Sequence, residues 1–137
     1  MQYKLTFKDY NEALKQNKIL GLKCGSCGNV NVPPCVVCCK CGSSELDTCE
    51  LKGSGTIQTY TVIKVAPENR EPEVPYIIVL VELEEGPWIM GNLGGVKPEE
   101  VTMAVMGKKV TMEKASVYAG DKYSWGDLAR PLFTLLN

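Results

Sequence analysis

Seven cysteines are the residues best equipped for chemistry in this 137-residue chain, and six of them fall within "LKCGSCGNVNVPPCVVCCKCGS", from Leu22 to Ser43. Cys24-Gly-Ser-Cys27-Gly is one C-x-x-C-G unit and Cys38-Cys39-Lys-Cys41-Gly is a second, with ten residues between them. In such a unit the chain turns back on itself and aims two thiolates at one point. The glycine accepts a positive φ and lets backbone N–H groups approach the sulfurs. Two facing units make a tetrahedral site of four sulfurs, so Cys24, Cys27, Cys38 and Cys41 are the expected metal ligands. A competing register is Cys35-Val-Val-Cys38, which lacks the glycine and carries a stiff apolar pair. Zn2+ in a structural role is the expected ion. Iron, alone or in a cluster, is the alternative that the same ligands allow. Four sulfurs leave no open position on the metal, so the site is expected to hold structure rather than to catalyse.

Other chemistry is narrowed by what the composition lacks. There is no histidine, which removes imidazole ligands, imidazole bases and Ser-His or Cys-His dyads. No other constellation of carboxylates, lysines or thiols stands out. Positive and negative residues number 15 and 16, and only two arginines occur, Arg70 and Arg130. Six lysines face five acids in residues 1–50, and nine basic residues face eleven acids thereafter. Binding to phosphate backbones leaves a basic footprint, and neither half carries one. The polar start "MQYKLTFKDYNEALKQ" has no apolar core of a secretory leader. No apolar run approaches the roughly 20 residues of a membrane span. A soluble, cytoplasmic protein is expected, in which cysteines serve metals rather than disulfides.

The elements that must position these cysteines are short. Residues 9–20 read as a helix with Tyr10, Ala13, Leu14 and Asn17 on one face and Asp9 near its start. That thin face either packs on the chain's own ribbon or docks on another subunit. Residues 22–49 have little room for regular structure. From Ile57 to Val65, alternate residues Ile57, Thr59, Thr61, Ile63 and Val65 form one face of a strand, after a bend or bulge at Gly53 and Gly55. "APENREPEVP" is a long loop. "PYIIVLVELEEG" reads as a strand covered on both faces, and "WIMGNL" is a third strand. A turn of helix is expected at Pro98. The fourth strand is "KKVTMEK", with Val110 and Met112 facing in, and "RPLFTLLN" is the fifth. Tyr60, Tyr76, Trp88, Tyr118, Tyr123 and Trp125 are read as core or interface residues, with Trp125 packed inward on a loop that closes the barrel. Five short strands with one small helix between the third and fourth match an OB-fold best, although the strand spacing alone also allows another small barrel or a sandwich. The expected organisation is mainly β: an N-terminal helical segment (1–21), a zinc ribbon (22–49) and a five-stranded OB-fold barrel (50–137).

This order, with "ILGLKCGSCG", Pro33-Pro34, "CCKCGS", "GSGTIQTYTVI", "PYIIVLVELEEG", "GNLGG" and "KPEEVTMAVMGKKV", resembles the domain-of-unknown-function thirty-five family. Its members are OB-fold, acyl-CoA-associated proteins with a rubredoxin-like zinc ribbon. The family usually carries a basic residue after the two prolines and a proline inside the second knuckle, where this chain has Cys35 and Cys39. The resemblance implies a non-catalytic partner of thiolase-superfamily enzymes. The compact form is similar to the archaeal type, which holds acetoacetyl-CoA thiolase and hydroxymethylglutaryl-CoA (HMG-CoA) synthase together in the mevalonate pathway, with acyl-CoA near the interface. Other expectations are service to a different thiolase-superfamily enzyme, or single-stranded nucleic-acid binding, which the charge disfavours.

Overall fold

The computed structural model describes residues 5–66, 71–118 and 126–136. Helix α1 (Phe7–Lys15) starts where Thr6 caps it: its Oγ1 accepts from Asp9 N at 3.1 Å, and the Asp9 carboxylate accepts from Thr6 N at 3.4 Å. Asp9 is thus the return arm of a capping box rather than the cap itself. The helix stops earlier than residues 9–20 suggested. Asn17 takes a left-handed φ of 66° and Ile19 is drawn into a strand. Its buried face, Tyr10, Asn11 and Leu14, is filled by the protein's own chain, so the subunit-docking reading of that face is not met. Asn11 fixes the helix to the barrel, donating from Nδ2 to Asp127 O (3.1 Å) and accepting at Oδ1 from Ala129 N (2.8 Å). Asn17 Oδ1 accepts from Ala115 N at 2.9 Å.

The cysteine region holds more regular structure than expected. Strands β1 (Ile19–Cys24), β2 (Val30–Asn31) and β3 (Leu46–Leu51) form an antiparallel sheet in the order β2-β1-β3. Cys24 pairs with Leu46 at one end of it and Ile19 with Leu51 at the other. Gly53, at φ 82°, then turns the chain into the barrel.

Five strands close that barrel: β4 (Ser54–Ile63), β5 (Tyr76–Leu83), β6 (Trp88–Gly94), β7 (Lys109–Tyr118) and β8 (Leu128–Leu135), in the cyclic order β4-β5-β6-β8-β7. The β6–β8 contact is parallel and the other four are antiparallel, an OB-fold arrangement. Phe133, Val79, Val81, Ile77, Ile57 and Val110 are fully buried and fill the interior. The ring of Phe133 lies against Gly91, where a Cβ would sit 2.7 Å from it, so a bare backbone at that point admits the largest fully buried side chain.

Two register details revise the strand readings. The β4–β5 register shifts between Ile57 and Thr59, so β4 swaps faces: Tyr60 and Val62 pack on the core while Thr59 and Thr61 are exposed. One inserted residue inverts a period-two pattern, which composition alone does not reveal. On β5, Ile77, Val79, Val81 and Leu83 are buried, whereas Ile78 and Leu80 are only half covered and Glu82 is exposed. The continuous apolar run therefore has one core face, not two. The helical turn between β6 and β7 falls at Met103–Val105, beyond the turn at Pro98, and places buried Val105 in the core. Trp125 and Tyr123 lie outside the described residues. No helix among the described residues is long and apolar enough to cross a membrane.

Candidate metal centre

Two loops built to one plan carry the cysteines. In the first, Gly28 N donates to Cys24 O at 3.0 Å and Cys24 N donates to Asn29 O at 2.8 Å. In the second, Gly42 N donates to Cys38 O at 2.9 Å and Cys38 N to Ser43 O at 2.8 Å. Gly28 and Gly42 sit at φ 79° and 77°, values a side chain would strain. Each turn leaves N–H groups pointing at its first sulfur: Ser26 N and Cys27 N lie 3.4 and 3.5 Å from Cys24 Sγ.

The sulfurs of Cys24, Cys27, Cys38 and Cys41 all lie within 4.8 Å of one another. Cys24 Sγ to Cys41 Sγ is 3.5 Å and Cys27 Sγ to Cys38 Sγ is 3.7 Å. A disulfide would bring two sulfurs to about 2.05 Å, and all seven cysteines are free. A metal at about 2.3 Å from four tetrahedral sulfurs would space them by about 3.8 Å. The donor set and its spacing therefore fit a four-coordinate metal, and the region is a metal-binding arrangement. Cys24 and Cys38 are buried, while Cys27 and Cys41 are exposed, so the site sits at the ribbon's tip with one side toward solvent.

The local field favours thiolates at the first position of each turn. The N–H groups of Cys27 and Ser26 pull the Cys24 thiol down against its burial. Those of Cys41 and Lys40, with the Asn31 side chain, pull Cys38 down to about 6. Cys41 is pushed up to about 12: Ser43 N–H favours its thiolate, but hydrogen bonds with the sulfurs of Cys24, Cys27 and Cys38 hold a proton there. A divalent ion competes directly with that shared proton.

The remaining cysteines lie outside the cluster. Cys39 is exposed, with Asn29 Nδ2 at 3.7 Å from its sulfur. Cys35 is half-buried in an apolar groove with Leu5, Thr6, Phe7, Pro34 and Val36, so the Cys35-Val-Val-Cys38 register is not the one brought together. Burial pushes the Cys35 thiol up, and nearby Cys39 and Cys38 add to the shift. Burial, with Glu85 nearby, does the same at Cys49 on β3.

The sequence reading missed Asn31, although it ties the two loops together. Its side chain is buried. Nδ2 donates to Leu22 O at 3.1 Å, and Oδ1 accepts from Cys39 N at 3.0 Å and from Asn29 Nδ2 at 3.2 Å. The only trace in the sequence is the pair of asparagines in "GNVN", which could as well be a polar turn.

Two family profiles match the chain: the rubredoxin-like zinc ribbon domain of ChsH2 over residues 12–47, and its C-terminal OB-fold domain over residues 49–113. A "DUF35 domain-containing scaffold protein" of Methanocaldococcus jannaschii is 35% identical over 99 residues, covering 72% of this chain and 70% of that protein. A "probable enoyl-CoA hydratase alpha subunit" of Thermomonospora curvata is 34% identical over 94 residues, which are 69% of this chain but 29% of that longer protein. Among solved structures, the "Ltp2-ChsH2(DUF35) aldolase" contains a chain that matches with a TM-score of 0.68 and 31% identity, covering 92% of this chain and 91% of that one.

Proposed function

The chain belongs to the DUF35 family of zinc-ribbon and OB-fold proteins, and on that premise we propose that it is a non-catalytic accessory subunit of a thiolase-superfamily enzyme. In its finer form the proposal is a scaffold that holds an acetoacetyl-CoA thiolase and an HMG-CoA synthase in one cytoplasmic complex. Holding the two active sites close would shorten the passage of acetoacetyl-CoA and limit its escape. Cys24, Cys27, Cys38 and Cys41 are the proposed ligands of a structural zinc. The helical segment 1–21 anchors the ribbon 22–49 to the barrel 50–137 in this reading.

The observation that carries it is the closed group of four sulfurs. With every tetrahedral position taken by the protein, a metal held there has no site for substrate and serves to order the ribbon. The names of similar proteins, two of them a scaffold and a chain of an aldolase assembly, support the same class.

The test is purification of the chain at native abundance from its own host, with identification of bound proteins by mass spectrometry and of bound metal by elemental analysis. A thiolase and a synthase recovered in stable proportion, with about one zinc per chain, is the expected result. A chain that runs alone rejects the subunit reading. Iron with visible absorbance in place of zinc rejects the zinc assignment.

A further inference from the structure

We propose that the outer face of β5 and β6 is the docking surface for the partner enzyme subunit, and that the partner meets it with an apolar strip edged by lysine or arginine. This rests on the accessory-subunit reading above. The two strands pair with Leu80 opposite Met90, Glu82 opposite Trp88 and Ile78 opposite Asn92. Their other side chains, Val79, Val81, Ile89 and Leu93, are buried in the barrel. The outward row is also apolar. Trp88 is 52% exposed and Met90 66%, with Leu80 and Ile78 half covered beside them. Tryptophan and methionine are enriched in protein interfaces, and a tryptophan held on a rigid strand anchors one at low entropic cost.

The charges decide what kind of molecule fits. Neither strand contains a lysine or arginine. The Trp88 end is acidic: Glu82 faces Trp88 across the ladder, held by Gln58 Nε2 at 2.9 Å, and exposed Glu84 follows in the turn. OB-folds that take nucleic acid use this same pair of strands, and Trp88 could stack a base. Carboxylates at the edge with no cation in either strand repel phosphates, so the face is unsuited to that ligand. A second copy of this chain would bring two such strips together about a two-fold axis with no lysine or arginine from either strand to meet the acidic ends; Arg130 lies over the Tyr76 ring at the other end of β5, 3.8 Å from Glu73. A different protein with basic residues at that edge leaves neither problem.

The experiment uses the full chain and the thiolase-superfamily subunit recovered with it, produced recombinantly. Trp88→Asp/Met90→Asp alters only exposed side chains, so its melting temperature and metal content should match wild type. Its affinity for the partner by calorimetry should fall roughly 30-fold or more. Val65→Asp, at an 87% exposed position elsewhere on the barrel, should bind as wild type does. Glu82→Lys/Glu84→Lys should weaken binding and flatten its decline between about 0.05 and 0.5 M salt. Undiminished affinity of the Trp88/Met90 variant overturns the surface while leaving the subunit reading intact. Loss of self-association or of single-strand binding by that variant, in place of lost partner binding, overturns the assigned occupant. Absence of any thiolase-superfamily partner overturns both readings, and the native purification would already have shown it.

Discussion

Cys24 and Cys38 occupy equivalent places: each is buried, each begins a turn closed by a glycine, and each receives N–H groups from the turn that follows. Cys27 and Cys41 complete the group from the exposed side. Serine at any of these four positions is therefore expected to lose tightly bound metal and to lower the melting temperature. Serine at Cys35, Cys39 or Cys49 should leave about one metal per chain. Elemental analysis of the seven single variants checks this, and loss of metal at Cys35 with retention at Cys41 would return the competing register. The grouping of these four sulfurs was legible because C-x-x-C-G carries its own geometry in the sequence. Asn31 was not, because its partners Leu22 and Cys39 lie nine and eight residues away on separate strands and turns. Asn31→Ala leaves the Leu22 carbonyl and the Cys39 N–H without their partner. A loss of about 1–3 kcal/mol in stability to urea follows, with looser metal binding. An unchanged midpoint and metal affinity would show that Asn31 merely fills space.

At the scale of elements, the five strands and the small helix between the third and fourth were legible in the spacing of turns and apolar runs, whereas the faces of two strands were not. The inversion at Gln58 and the half-open outer row of β5 depend on what lies across the ladder, which a single strand's sequence does not state. Helix α1 shows a related limit. Its thin apolar face left packing on the ribbon and docking on a partner both open, and Asn11, a polar residue, is what fastens it to β8. That packing has a pH signature. Burial pushes the Tyr10 hydroxyl up to about 12, from an ordinary value of 10. The folded state then holds a proton that the unfolded chain releases, so this contribution is whole below pH 10 and disappears as pH rises through about 12. A two-unit shift corresponds to roughly 2–3 kcal/mol at the alkaline limit. Urea midpoints measured at pH 9 and 11.5 should fall more steeply for wild type than for Tyr10→Phe. Parallel curves would place Tyr10 in contact with water.

For the whole molecule, the burial pattern separates two cores of unequal strength. The larger contains the barrel and also Tyr10 and Leu14 of α1, Ile19 of β1 and Leu51 of β3. The smaller, beneath the cysteines, has Leu5, Leu22 and Leu46 with the sulfurs of Cys24 and Cys38. Three leucines are little apolar burial for ordering the roughly twenty residues from Gly25 to Glu45, so a metal bound by the four thiolates is expected to supply much of the tip's stability. The Ile19–Leu51 end of the same sheet is secured by the larger core and does not depend on the ion. Metal removal by a chelator under reducing conditions is therefore expected to melt the tip while the barrel stays folded. Amide exchange should become fast at Gly28, Cys38 and Gly42, whose N–H groups are bonded only within the tip. It should remain slow at Val79, Val81 and Phe133 inside the barrel. If both sets become fast together, the ribbon and barrel form one cooperative unit and the metal supports the whole fold. If neither changes, the four sulfurs are held by the protein without help from an ion.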